Sequence, residues 1–346
     1  MVTAMSFYRF SIRFLILFFG LGELLLARSI VDMSGQTLEV PDTISKLYAS
    51  SPPSTYMLYT IDPSLIVGLN FDHAKGNNES SNMLDPRFTS LPVIGGLQGG
   101  ANSINRETLL ALHPDAIISW NTDASSGLAA YLFQSSHIAT INVNLESIDD
   151  LARAYRFLGE LLDKKERTEP LALYAQEVTR QTRALVERRV SKRPVVYYAE
   201  GTDGLASECD SSSHYEAIKV AGGINPHLCQ PSGGKGMEKV TLEQVILYNP
   251  DVIIAQEKEF VQNVQNDPRW RFVAAVQNKR VYLVPKKPFN WIDRPPSFMR
   301  LLGLQWLTHV LYDEPNASEF ETRMQEFYRL FLRIDLNQTQ RQAILD

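Results

Sequence analysis

Hydrophobic and polar positions follow one pattern twice along the chain. Residues 105–112 carry apolar side chains at helical spacing, Pro114 and Asp115 interrupt them, and Ala116–Trp120 is a short apolar run. The same succession returns at 241–248, Pro250 and Asp251, and Val252–Ala255. Each copy reads as a short amphipathic helix, a Pro-Asp turn that stops it, and a strand apolar enough to be buried in a parallel sheet. A chain built twice predicts two α/β lobes, and the cleft between two lobes is where a small ligand binds.

The remaining pattern fills in the lobes. Ile30–Val40 predicts a strand pair, Lys46–Ser50 a first core strand, Tyr56–Ile61 a helix after a loop at 51–54, Leu65–Leu69 a further strand, and His137–Val143 the strand that closes the first sheet. From 147 to 190, apolar residues recur at helical spacing (Leu151, Tyr155, Leu158 and Leu162, then Leu171, Tyr174, Val178 and Leu185), interrupted only by Gly159 and Pro170. One or two long helices are predicted, the second about 20 residues and so about 30 Å long, enough to span both lobes. Strands at 194–199, 252–255 and 280–284, a helix from His214 to Val220, and helices at 299–312 and 317–332 make up the second lobe, with a frayed end from Asn337. The resulting division is a leader at 1–29, a first lobe at 30–146, linking helices at 147–190 and a second lobe at 191–346.

The leader is read from the N-terminus. Arg9 and Arg13 precede an apolar run from Phe14 to Leu26, and Ala27 and Ser29 offer small residues for cleavage. This is the layout of an export signal. Glu23 breaks the run below the clean length that a membrane span needs, and no cysteine lies nearby to carry a lipid. The formal net charge of −5, with no clustered Lys or Arg, speaks against nucleic acid as a partner. In an exported chain Cys209 and Cys229, the two cysteines, are expected to pair. A two-thiolate metal site with His214 or His227 is the competing reading, and it lacks Cys-x-x-Cys spacing.

Several segments, taken in order, resemble the substrate-binding proteins of ABC importers for iron-siderophore complexes, haem and cobalamin. They are Asp32–Pro41, Glu216–Asn225, Thr241–Gln244, Asn249–Ile254, Trp291–Ser297 and Leu301–Leu307. The likeness runs from about residue 30 to 332. It implies two Rossmann-like lobes joined by one long rigid helix, a ligand cleft between them, and delivery of ligand to a membrane permease and its ATPase, with no chemistry performed. It further implies a periplasmic monomer with no covalent cofactor. Carboxylates on each lobe are implied as permease contacts: Glu216 on the second lobe and, because the first-lobe Thr-Glu pair stands here as Thr55-Tyr56, Asp62 as its substitute.

Ligands of open α/β sheets sit beyond the carboxyl ends of the strands. That rule selects Ser51, Pro52, Trp120 and Asn121 on the first lobe, and Tyr198, Glu200, Trp291, Asp293 and Arg294 on the second. Trp120 and Trp291 would wall the cleft, or else belong to the lobe cores. Arg294 would hold an anionic ligand through its planar fork, or else pair with Asp293 or another local acid. The histidines are scattered, which disfavours a bare metal ion; His73 and His214, in polar segments, are the weak metal candidates. Lys235 lies in a Gly-rich loop without the spacing of a phosphate-binding loop, and the usual hydrolase and dinucleotide fingerprints are missing. The cluster Glu200, Asp203, Glu208, Asp210 and His214 permits an exported α/β enzyme as the other class of function, although turn propensity accounts for it. The expected cargo is a metal complex, first a ferric siderophore, with a nickel or cobalt chelate, molybdate or tungstate, haem and cobalamin as alternatives.

Overall fold

The computed structural model describes residues 27–73, 78–97, 104–120, 133, 138–230 and 236–345. The apolar leader up to Leu26, the loop at 98–100, Asn121, His137 and Lys235 lie outside the described residues. Among the described residues no helix is long and apolar enough to cross a membrane.

Strands β1 (Ala27–Val31) and β2 (Thr37–Pro41) form an antiparallel pair. Ala27–Ser29, placed in the leader by sequence, are thus paired with Glu39–Pro41. In the first lobe β3 (Leu47–Ala49), β4 (Ala116–Trp120) and β5 (Ala139–Val143) make a parallel sheet in the order β3-β4-β5. The second lobe repeats the design. There β6 (Val196–Ala199), β9 (Val252–Ala255) and β10 (Val281–Leu283) form a parallel sheet in the order β10-β9-β6, and the short pair β7 (Ala206–Ser207) and β8 (Glu238–Lys239) is antiparallel. Both faces of these sheets are covered: Ala49, Ile118 and Ile141 join the main core, while Tyr48 and Ile117 pack with Leu109 and Phe133 on the other side. That is why the strands read as continuous apolar runs and not as alternating ones.

The duplication holds at the level of single atoms. His113 and Asn249, each just before a Pro-Asp pair, both adopt left-handed backbone, with φ of +48° and +41°. Asp115 accepts from the amides of Ser45 and Lys46 at 2.7 and 2.8 Å, and Asp251 accepts from the amide of Val195 at 2.8 Å. In each lobe the turn carboxylate therefore pins the amino end of the neighbouring strand. A short polar side chain suits the left-handed region, so Asn249 sits there easily, whereas His113 bears a cost of about 1 kcal/mol.

Helices Asp150–Leu161 and Lys165–Arg188 link the lobes. The second has 24 residues, about 36 Å of helix, and runs through Pro170 at the loss of one backbone hydrogen bond. The two lie close where they cross: a Cβ on Gly159 would fall 1.9 Å from Oγ1 of Thr168. The apolar core is continuous from Leu47 and Ile118 through Leu171 and Ala175 to Ile254, Trp291 and Phe327. A core that crosses both lobes and the linker resists large hinge motion.

Some elements differ from the sequence pattern. The first helix, Pro52–Ile61, begins four residues earlier than its apolar period, because two prolines fit the first turn, where their missing N–H groups are not needed. Leu65–Leu69 forms no full strand; a 3-10 turn at Pro63–Leu65 leads into single bridges from Ile66 to Leu47 and from Leu69 to Val93. The chain end is not frayed. Gln338–Leu345 is a helix that buries Ile344, and Lys287 donates to the carbonyl of Ala343 at 2.8 Å. The preceding segment docks on the first lobe, with Arg333 donating to the carbonyls of Thr60 and Ile61 at 3.1 and 2.7 Å, and Arg167 to that of Thr60 at 2.9 and 2.7 Å. Two guanidinium groups at the end of Pro52–Ile61 satisfy carbonyls that the helix leaves open and favour its dipole.

Candidate functional site

The carboxyl ends of β6, β9 and β10 gather a buried polar cluster on the second lobe. Strand β6 runs into Glu200, β9 into Gln256, and the chain after β10 returns through Asn290, Asp293 and Arg294. Gln256 donates to the hydroxyl of Tyr198 and Asn290 donates to Gln256 at 2.8 Å. Arg294 lies between two acids, its Nε donating to Glu200 and its Nη2 to Glu208. His214 completes the group: its Nδ1 is 2.8 Å from both oxygens of Asp293. Ser212, which donates to Glu208 at 2.7 Å, also accepts from the His214 amide at 3.2 Å, so the turn that carries the histidine is built on the same carboxylate.

The acids are nearly inaccessible, at 2% for Glu200, 0% for Glu208 and 1% for Asp293, whereas Arg294 and His214 keep side-chain exposures of 37% and 31%. Three carboxylates surround one guanidinium and one imidazole. Burial pushes the Glu200 carboxyl above the ordinary range, opposed by Arg294, and its buried Oε2 has no hydrogen-bond partner among the described residues. The hydrogen bond to Asp293 raises the His214 imidazole, and burial works against the Arg294 charge but is outweighed by Glu200 and the other acids. Arg294 also takes φ of +57°, an uncommon conformation for its type.

The first lobe offers smaller groups. Ser51 and Pro52 open the first helix, with Ser51 Oγ 3.1 Å from Ser54 Oγ and Thr55 donating to Asn70 at 2.7 Å. Ser50 and Ser119 follow adjacent partners in the β3-β4 register, and among the described residues neither hydroxyl has a hydrogen-bond partner. Trp120 is 7% exposed at the end of β4. Trp291 is 0% exposed: it donates to the carbonyl of Lys287 at 3.2 Å and meets Phe320 edge-on, so it is a core residue and not a cleft wall.

His73 lies among Tyr56, Phe71, Phe88 and Phe289, with ring centroids 4.4 to 6.0 Å away. Burial lowers its pKa to about 4, which keeps the imidazole neutral. Tyr56 stacks on Phe289 at 3.9 Å, joining the first helix to the chain after β10. His73 and His214 belong to separate clusters, and no bare-metal ligand set forms from the two.

The carboxylates expected at the permease are both engaged within the chain. Glu216 accepts from Ser147 Oγ at 2.7 Å, from the Ile148 amide at 3.1 Å and from Arg300 at 2.6 Å. Arg300, 1% exposed, also donates to the carbonyls of Leu145 and Glu146 at 2.9 and 3.0 Å. Asp62 accepts from Ser64 Oγ at 2.6 Å and from Lys164 at 2.9 Å, at the start of the linking helix. Cys209 and Cys229 form a disulfide, Cα to Cα 4.8 Å, next to Glu208, so they offer no thiolate to a metal. Two cavities, of about 910 and 420 Å³, flank the linking helix; none of their lining residues stands at a strand's carboxyl end.

Sequence reasoning placed Tyr198, Glu200, Asp293 and Arg294 here by the strand-end rule. Glu208 was visible only as part of an acidic turn and His214 there and as a weak metal candidate, and Asp203 and Asp210 of that turn bind instead to the amides of Leu205 and Cys229. Arg300 carried no signal, since it sits in an apolar helix.

Two matched α/β lobes on one long linker, with a buried polar cluster at the strand ends of the second, define a ligand receptor of the ABC-importer type. The chain belongs to the periplasmic binding protein family, whose model matches residues 73–288. An ABC transporter solute binding protein from Sulfurospirillum deleyianum superposes with a TM-score of 0.85 at 37% identity, over 92% of this chain and 98% of that one. The molybdate-binding protein MolA of Haemophilus influenzae is 25% identical over 332 residues, 88% of this chain and 91% of its own. Helicobacter pylori CeuE in a Ni–His complex shares the fold, with a TM-score of 0.66 at 14% identity over 93% and 100% of the chains. The chain is accordingly a binding protein and not an enzyme.

Proposed function

We propose that this chain is the periplasmic receptor of an ABC importer whose cargo is a small metal complex with an oxygen-rich, anionic rim, either a ferric siderophore or a nickel or cobalt chelate. The observation that carries this reading is the setting of Arg294. Two buried carboxylates hold its Nε and Nη2, and the side chain is 37% exposed, so the remaining edge of the guanidinium is open to a ligand. That edge suits a carboxylate, catecholate or hydroxamate oxygen. A bare dianion would also meet Glu200, Glu208 and Asp293, and like charges about 4 Å apart repel by about 4 kcal/mol at an effective dielectric constant near 20. A complex with a cation at its centre and oxygens at its rim matches both signs. Phe71, exposed beside His73, supplies an apolar face for an organic chelator.

Molybdate is the second reading, supported by the likeness to the Haemophilus influenzae protein along most of both chains. Tryptophan fluorescence titration of the exported form separates the two. Ferric siderophores, Ni(II) and Co(II) with and without histidine, molybdate, tungstate, haem and cobalamin are the ligands to test. A metal chelate should saturate the signal, and Arg294→Met should weaken it at least tenfold. Saturation by molybdate or tungstate alone overturns the chelate reading.

Export is part of the proposal, with the leader cleaved near residue 29, where Ala27 and Ser29 offer the small residues. The receptor acts as a monomer that hands its ligand to the permease. Glu216 and Asp62 are assigned to holding the lobes on the linker, because docking through them would give up the bonds they already make.

A further inference from the structure

We propose that the cavity of about 420 Å³ beside the linking helix is a second binding site, for a free α-amino acid with an apolar side chain. It goes beyond the cargo reading and stands whether or not that reading holds, because none of its lining residues belongs to the strand-end cluster.

The cavity lies between the linking helix Lys165–Arg188, the helix Arg300–Tyr312 and the turn that leads into the helix Ala317–Phe327. Its volume falls within the range of small-molecule sites, about 300–1,000 Å³. Two polar side chains in its wall, Thr182 and Gln305, are only 5% and 4% exposed. Gln305 directs its amide N–H groups to the Tyr174 hydroxyl at 2.8 Å and to the carbonyl of Leu301 at 3.4 Å. Its Oε1 and the Oγ1 of Thr182 have no hydrogen-bond partner among the described residues, and neither atom is sealed from solvent, so both open on the cavity. Leaving such oxygens unpaired is costly, and valine at 182 would fill the same volume with no polar atom. A wall that keeps both acceptors suits a ligand rich in N–H donors, and an ammonium group has three. Val178 and Leu185, one turn before and one turn after Thr182, give the same helix face an apolar strip.

The rim supplies charges of both signs. Arg180 and Arg323 are taken up by Glu177 at 2.6 Å and Glu319 at 2.5 Å. Arg188 is not: its side chain is 67% exposed, it makes no hydrogen bond among the described residues, and its ion pair with Glu314 is 3.9 Å long. Glu314 is itself held by Arg189. The open guanidinium fork of Arg188 suits a carboxylate. Asp313, exposed at the rim, lies 3.7 Å from His309 and accepts no side-chain hydrogen bond among the described residues, so its charge is available to a cation. An ammonium, a carboxylate and an apolar side chain on one small molecule match the acceptors, the fork and the strip together. A simple anion would leave the two oxygens unmatched, and a simple amine would leave Arg188 unmatched.

Isothermal titration calorimetry of the exported form tests this, with L-leucine, L-methionine and L-phenylalanine as probes and no cargo present. At least one should bind with one site per chain. For L-leucine, 4-methylpentanoate lacks the ammonium and isoamylamine lacks the carboxylate, and each should bind at least tenfold more weakly than the amino acid. Thr182→Val keeps the shape and loses no bond within the chain, so its melting temperature should match wild type while its affinity for the amino acid falls at least fivefold. Arg188→Gln, at the surface, should weaken the amino acid at least tenfold and leave 4-methylpentanoate and isoamylamine nearly equal. Binding of none of the three amino acids makes the cavity a solvent-filled groove and overturns the proposal. Binding that Thr182→Val and Arg188→Gln leave unchanged places the amino acid elsewhere on the chain and overturns it as well. Neither result touches the cargo reading, whose own titration uses metal chelates and Arg294→Met.

Discussion

Replacing Arg300 with Met tests how the second lobe is held on the linker. Arg300 is 1% exposed and donates to Glu216 and to the carbonyls of Leu145 and Glu146, joining the helix at 300–312, the helix at 216–220 and the chain between β5 and the linking helices. Methionine fills similar volume, so the change removes charge and hydrogen bonds more than packing. Glu216 would keep Ser147 Oγ and the Ile148 amide, whereas the two carbonyls would lose their partner. Leaving a buried acceptor unpaired costs about 1–3 kcal/mol, and breaking a buried ion pair by removing one partner costs about 3–5 kcal/mol in total. A loss of about 4 kcal/mol corresponds to a fall in Tm of about 6 °C for a chain of this size. Differential scanning calorimetry, with urea titration as a second measure, reads it directly. Restoring charge with Arg300→Lys should recover only part, because one ammonium cannot reach both carbonyls and Glu216 together. A melting temperature for Arg300→Met within 1 °C of wild type would refute the assignment of this pair to the junction.

Three further outcomes follow from other sites. His73 has its pKa lowered to about 4 by burial, so the unfolded chain binds the extra proton first. Stability contributed by the neutral ring is therefore full above pH about 6.5 and lost as pH falls towards 4, by at most about 3 kcal/mol, and urea titrations of His73→Phe should lack that part of the pH dependence. Cys209→Ser with Cys229→Ser, or reduction, should cost about 3 kcal/mol by opening a loop of 20 residues, measured as a lower urea midpoint; an unchanged midpoint would count against it. Gly303→Ala places a Cβ 2.1 Å from the carbonyl oxygen of Trp291, so it should displace the chain that carries Asp293 and Arg294 and weaken ligand binding at least tenfold, read by fluorescence titration.

The two lobes were readable because each repeated unit is local, with helix, Pro-Asp turn and strand falling within about 15 residues. The linking helices were readable for the same reason, through one long apolar period. The polar cluster was readable only in part. The strand-end rule found Arg294 and Glu200, yet the contact between them spans 94 positions and no local pattern encodes it. Glu208 looked like turn composition, and its bond from Arg294 spans 86 positions, which no local pattern encodes. Trp291 was placed in the cleft by its neighbours in sequence, but a ring of that size at the edge of the second lobe gains more by packing on Phe320 in the core. The final helix was missed because Asn337–Gln342 is wholly polar; its hold comes from the buried Ile344 and from the Lys287 bond to Ala343.

Asp115 and Asp251 each fasten the amino end of a sheet, on the side opposite the strand ends that carry the polar groups. Registration of the strands is thus settled at the floor of each lobe, and the rim is left free to change. Arg294 and His214 lie outside the paired strands, so replacing either leaves the strand register in place. In a scaffold divided in this way, the groups proposed to meet the ligand are not those that register the strands.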